Sequence, residues 1–149
     1  RDRMSLIMTG KMDVTMAING AIAGLVAITA DPLSPSGGVA VLVGAIGGII
    51  VYFSILFLEK SGIDDPVGAI SAHGTAGVFG VMVVPLTNEG ATVMGQAAGV
   101  LSIAAWGFVL TYAFLFLLNM IAPVTASEEI QKKGLDAEEI GIEAYPEFK

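Results

Sequence analysis

Cysteine is absent from this 149-residue sequence, and histidine and tryptophan occur once each. No disulfide can form without cysteine, and a single histidine offers too few ligands for a typical zinc site. Charged residues make up only 14% of the chain, whereas ordinary soluble domains carry about 25%. No basic cluster, phosphate-binding loop or catalytic triad is present. We therefore expect no bound metal, cofactor or nucleic acid and no enzymatic activity.

The first residues, RDRMSLIMTGK, lack the apolar core and small-residue cleavage site of a secretory signal peptide. They also begin at Arg1 rather than at an initiator methionine. We expect the sequence to start within a longer protein or to be a processed piece of one.

Apolar residues dominate what is present, at 54% of the chain. About 20 helical residues cross the roughly 30 Å hydrocarbon core of a bilayer. Four stretches approach or exceed this length: residues 14–30, 39–58, 66–86 and 92–121. The sequence therefore predicts an all-α, polytopic membrane protein with four transmembrane helices, preceded by a lead-in (1–13) and followed by a polar tail (123–149). The last stretch is long enough to be tilted, kinked or extended beyond the membrane.

Small residues recur at helical spacing in the first two stretches. Gly20 and Gly24 form one pair, and Gly44 and Gly48 form another. Such pairs allow helix backbones to approach closely in lipid. They predict close helix packing, in which Asn19 needs a polar partner on a neighbouring helix.

The basic residues fix the expected orientation. With four spans, all seven lie on one side of the membrane, and the opposite loops, 31–38 and 87–90, contain none. These seven are Arg1, Arg3, Lys11, Lys60, Lys132, Lys133 and Lys149. The positive-inside rule therefore predicts that both ends of the chain are cytoplasmic.

The third stretch, DDPVGAISAHGTAGVFGVMVVPL, contains the only histidine, His73. Asp64 and Asp65 are expected to cap this helix on the cytoplasmic side, with Pro66 in its first turn. An ionisable group at membrane depth usually faces a bundle interior or a water-filled path. The residues alone favour a structural histidine and a functional one about equally. An apolar face shared with Ala69, Ile70, Ala76, Gly77 and Gly80 would suit a narrow pore.

Three segments together resemble the Amt branch of the Amt/Mep/Rh ammonium transporter family. They are NGAIAGLVAITA (19–30), DDPVGAISAHGTAGVFG (64–80) and GLDAEEIGIEAYPEF (134–148). The resemblance covers essentially the whole chain, in the order and spacing of the family. It implies an eleven-helix fold, assembled as a trimer with one hydrophobic pore per subunit. This chain corresponds to helices eight to eleven and the cytoplasmic tail of that fold.

The resemblance also assigns roles to individual residues. It implies that His73 is the second histidine of a pore-lining pair, whose partner lies on a helix outside this chain. Thr29 matches a motif near the outer vestibule, and Asp64 and Asp65 match an aspartate pair of the family. Gly68 departs from the pattern, since the family often has an acidic residue five positions before this histidine.

The tail resembles the region through which the family contacts a neighbouring subunit and PII-type regulatory proteins. We expect it to fold as short helices and turns anchored by apolar residues, namely Leu135, Ile140, Ile142, Tyr145 and Phe148. Ile140 and Ile142 depart from the family pattern, which often has histidine and glutamate at these positions.

The function implied is ammonium or ammonia transport across the cell membrane. A desolvated ammonium ion is costly in an apolar pore. Imidazole both donates and accepts a proton near neutral pH, so it could relay the proton while neutral ammonia passes. The missing N-terminal half of the transporter would be the principal partner. The alternative is a non-transporting membrane sensor or assembly partner that uses the same helices for packing.

Overall fold

A computed structural model of the chain describes residues 13–135, 138, 141 and 142. It divides into two compact units, residues 1–102 and 103–149. Helix α1 (Val14–Thr29), helix α2 (Gly37–Lys60) and the region around His73 all belong to the first unit. The described residues are helical apart from turns and loops, which confirms the predicted all-α fold.

Short polar side chains determine where the first two helices begin. The Asp13 carboxylate accepts a hydrogen bond from the Met16 N–H at 3.0 Å and so caps the start of α1. The Ser36 hydroxyl accepts from the Val39 N–H at 3.4 Å. Helix α2 therefore begins at Gly37, two residues earlier than its apolar run predicts.

The predicted glycine pairs are the contact between α1 and α2. A Cβ built on Gly24 would lie 3.0 Å from the Gly44 carbonyl oxygen, and one on Gly48 would lie 3.3 Å from that of Gly20. Gly24 therefore faces Gly44 while Gly20 faces Gly48, as two antiparallel helices require. Backbones this close gain dispersion contacts along the helices without ordering long side chains.

The third apolar stretch begins later than expected and contains three kinds of helix. Residues Ile70–Thr75 form a π-helical segment, Ala76–Val83 form helix α3, and Val84–Leu86 form a single 3₁₀ turn. Pro66 is in a turn before the helix rather than in its first turn, so that prediction is wrong. Gly68 has φ = +72°, which interrupts any helix that starts at Pro66.

The core of the first unit is thin and built largely from small side chains. Ala23, Ala72 and Ala76 are buried together with Val51 and Ile55. Alanine at these positions allows α1, α2 and the third helical stretch to pack at short range. Large apolar side chains project away from this core: Leu25, Val41 and Phe57 are all exposed.

Helix α4 (Val93–Ile121) has no buried residue, and helix α5 (Glu128–Lys133) is a short element of the tail. By length and composition, α2 and α4 can each cross a membrane, whereas α1 and the 70–86 stretch are shorter apolar helices. Four membrane spans therefore remain a prediction.

In the tail, Leu135 and Ile142 are exposed. The anchors expected at 140, 145 and 148, like the lead-in at 1–12, lie outside the described residues.

Candidate functional site

His73 lies in the middle of the π-helical segment. In a π-helix each N–H bonds to the carbonyl five residues back instead of four, so each turn contains about one more residue than a turn of α-helix. Such segments are frequent at functional sites. His73 is exposed, although its neighbours Ser71 and Ala72 are buried. No pattern in the sequence indicates this π-helical segment.

Asp65 holds the start of this segment. Its two carboxylate oxygens accept from the backbone N–H groups of Ile70 and Ser71, each at 3.0 Å. Partial desolvation raises the pKa of Asp65, but these backbone hydrogen bonds outweigh it and hold the pKa below its ordinary value. Asp64, the other residue of the predicted cap, is exposed, and its carboxylate makes no hydrogen bond among the described residues.

A second polar contact fixes the far end of the segment. The hydroxyls of Ser54, on α2, and Thr75 are 2.9 Å apart and share a hydrogen bond. Together with Asp65, this contact holds the π-helical turn at both ends. The turn around His73 is therefore fixed by the neighbouring structure and not by its own helical pattern.

The side chain of His73 takes no part in the hydrogen bonds that hold its backbone segment. Its imidazole makes no hydrogen bond within the part of the chain that the structure describes. The apolar face predicted around it is divided. Ala69 and Ile70 are exposed like His73, Gly77 is half-buried, Ala76 is buried in the core, and Gly80 is buried against α1. The extra residue in the π-helical turn shifts the register of the helix, which separates the exposed residues from the buried ones.

Thr29 lies at the end of α1, where its hydroxyl donates to the Val26 carbonyl at 2.7 Å. Two residues later, the Asp31 carboxylate accepts a hydrogen bond from the Asn88 side-chain amide at 2.8 Å. This bond joins the 31–38 loop to the turn that follows the 3₁₀ element. Hydrogen bonds from Ser34 and Asn88 lower the pKa of Asp31 below its ordinary value. Sequence reasoning missed this contact, because only the fold brings two polar loops 57 residues apart together.

Gly68 leaves space that a side chain from another helix occupies. A Cβ built on Gly68 would lie 2.7 Å from Oδ1 and 2.8 Å from Nδ2 of Asn19. Asn19 is only 4% exposed and projects from α1. Its amide therefore fills the position where a side chain at residue 68 would begin.

These features are those of a helical membrane protein with a histidine held at a specialised helical turn. Residues 3–145 match the family model described as the Ammonium Transporter Family. The chain therefore belongs to the ammonium transporter family.

Archaeal ammonium transporters are among the similar proteins. Ammonium transporter Amt2 of Haloferax mediterranei is 39% identical over 153 residues, covering 94% of this chain and 33% of that protein. Amt2 of Archaeoglobus fulgidus is 35% identical, covering 93% and 34%, and Amt2 of Methanocaldococcus jannaschii is 33% identical, covering 95% and 36%. The chain thus spans about a third of the length of these relatives.

Proposed function

We propose that this chain is the C-terminal part of an ammonium transporter in which His73 lines the conduction path. The observation that carries the proposal is the exposure of His73 on a turn whose backbone is firmly held. A structural histidine would be expected to bond a neighbouring helix, but this imidazole makes no such bond among the described residues. Family membership supplies ammonium as the substrate.

The proposed mechanism separates the proton from ammonia. Ammonium entering an apolar path loses its hydration, which favours the neutral form. An imidazole on the path accepts the proton at one ring nitrogen and can release a proton from the other. His73 would perform this transfer together with a second histidine from the missing half.

The remaining parts of the proposal concern assembly. The chain would pair with the N-terminal half of the transporter and form a homotrimer in the cell membrane, with both of its ends in the cytoplasm. Thr29 would lie near the outer vestibule, opposite the Asp64–Asp65 end. The tail after residue 122 would be the regulatory element, open to a neighbouring subunit or a PII-type protein.

The first test replaces the imidazole in the complete product of the gene. His73→Ala is expected to lower the ammonium-dependent current by at least about 100-fold, the range in which positioned proton-transfer groups contribute. Val78→Ala, at an exposed position of α3, keeps the imidazole and leaves both hydrogen-bonded ends of the turn in place, so most of the current should remain. An unchanged current in His73→Ala would exclude the relay.

A second test concerns the extent of the protein. The intact mass of the purified polypeptide would be near 15.3 kDa if this chain were all of it. Eleven spans with their loops require roughly 40 kDa or more, at about 20 residues per span. The proposal expects the larger mass, or a separate partner chain that co-purifies and supplies the missing helices.

A further inference from the structure

A cavity of about 550 Å³ opens beside the start of the third helical stretch. It lies between the first turns of α1, the last turns of α2 and the 62–68 loop, all within the first unit. Four carboxylates line it, namely those of Asp13, Glu59, Asp64 and Asp65, and no basic residue is among the described residues of its wall. Its electrostatic field therefore favours cations.

The four carboxylates are not equally available. Asp65 uses both of its oxygens to hold the backbone of the π-helical segment, and Asp13 caps α1. Glu59 and Asp64 are exposed, and their carboxylates make no hydrogen bond or ion pair within the described part of the chain. These two can therefore turn towards a bound cation at the mouth of the cavity.

The wall also contains a buried amide, which gives independent support for a ligand. Asn19 lines the cavity, is 4% exposed and has no hydrogen-bond partner among the described residues. Its amide still reaches solvent through the cavity, because among the described residues the only fully buried side-chain polar atom without a partner is Ser71 Oγ. An amide placed in this way bonds to water or to a ligand. Because Asn19 stands over Gly68, no side chain at residue 68 blocks its access to the cavity.

The spacing of these groups selects the kind of cation. No group of three or more acidic or histidine side chains within the described residues converges closely enough to hold a metal ion. Ammonium instead donates hydrogen bonds in four directions, and so it can bridge acceptors that do not converge on one point. Carboxylate and amide oxygens are the acceptors that such a donor needs.

We propose that this cavity binds a small hydrogen-bonding monovalent cation, with the Asn19 amide oxygen at its floor and the Glu59 and Asp64 carboxylates at its mouth. The proposal rests on the proposed function only for the identity of the cation, ammonium. In the proposed orientation the cavity faces the cytoplasm. Ammonium that re-forms at this end of the conduction path would be held there before release.

The test measures the thermal unfolding midpoint of the complete gene product in detergent while ammonium chloride replaces potassium chloride at constant ionic strength. Potassium is similar in size to ammonium but donates no hydrogen bond. The wild type is expected to gain stability as ammonium replaces potassium, by mass action on the folded state. The double variant E59Q/D64N should need about fivefold more ammonium for the half-maximal shift, equivalent to about 1 kcal/mol.

Two further variants make the result specific. Glu89→Gln removes an exposed carboxylate that does not line the cavity, and it should leave the half-maximal concentration unchanged. Asn19→Leu keeps the approximate size but removes the acceptor, and it should weaken the shift as E59Q/D64N does. If Asn19→Leu fails to fold, the exposed double variant still decides the outcome. An absent wild-type shift, or an equal concentration in E59Q/D64N, would overturn the proposal.

His73→Ala distinguishes the cavity from the conduction path. This variant should lose current but keep the ammonium-dependent shift, whereas loss of both would assign the shift to the path and refute the cavity. A wild type that carries current without a shift would leave transport intact and exclude the cation site. A shift without any current would exclude transport and retain the cation site.

Discussion

Among single residues, Asp65 has the strongest influence on the candidate site, because it is joined to the backbone of the segment that carries His73. Its two hydrogen bonds satisfy N–H groups at a helix start, where the helix has no partners of its own. A carboxylate at this position also complements the positive end of the helix dipole. The negative charge of Asp65 therefore stabilises the folded protein.

Asp65→Ala is expected to lower the free energy of unfolding by about 1 kcal/mol at neutral pH, the usual cost of losing a helix cap. Asp65→Asn keeps an acceptor but loses the charge, so its loss should be smaller. Thermal unfolding midpoints of both variants, measured in detergent, would test the order. Asp64→Asn is the matched control and should have little effect, since that side chain is exposed and makes no hydrogen bond among the described residues.

The contribution of Asp65 should also depend on pH. Its pKa is lower in the folded protein than its ordinary value, so the stability it adds is present above that ordinary value. The stability is lost as the pH falls through the folded pKa. The difference between wild type and Asp65→Asn should therefore shrink as the pH is lowered below about 4. A difference that stayed constant from neutral to acidic pH would contradict this role of the charge.

At the level of helices, the first unit depends on backbones that touch. A Cβ built on Gly80 would meet the backbone of Ala27, at 2.9 Å from both its carbonyl carbon and its Cα. Backbone atoms cannot move aside as a flexible side chain can. Glycine at this position therefore sets how closely α3 approaches α1.

Gly80→Ala is expected to destabilise the protein by about 1–3 kcal/mol, the range found for overpacked interiors. Gly38→Ala, at the open start of α2, has no heavy atom within 4 Å of the added carbon and should not destabilise. Thermal midpoints of the two variants, compared with wild type, give the measurement. Equal midpoints for both variants would mean that α3 can move away from α1 at little cost.

The sequence predicts those features of the helices that depend on residues close together in the chain. The glycine pairs of α1 and α2 and the Asp13 cap are visible in short patterns, and the structure agrees with them. The late start of the third stretch depends on the positive φ of Gly68 and on the Asn19 amide above it. Neither has a local pattern, because each depends on a helix distant in sequence.

At the scale of the whole molecule, the chain leaves much apolar surface uncovered. Every residue of α4 is at least partly exposed, including Trp106 and Phe108. Lipid or the helices of a larger transporter would cover such a surface, and both agree with membership of the ammonium transporter family.

The proposed orientation can be tested with single cysteines, because the chain has none of its own. Ser34→Cys and Gly90→Cys, in the two loops without basic residues, should react with a membrane-impermeant maleimide added to intact cells. Ser61→Cys and Ser127→Cys should react only after the membrane is permeabilised. Mass shifts on a gel would report the labelling, and the reverse pattern would refute cytoplasmic ends.

The π-helical turn around His73 also has a consequence for how related chains are compared. Such a turn amounts to one residue inserted into an α-helix. A relative with one residue fewer between positions 70 and 75 could form an ordinary α-helix there without any other change. Because the π-helical turn takes up its extra residue locally, the segments on either side of the deletion would keep their orientation while the residues within the turn move by one position. A one-residue gap in this region would therefore change which side chain takes the place of His73, even where the sequences on both sides are identical.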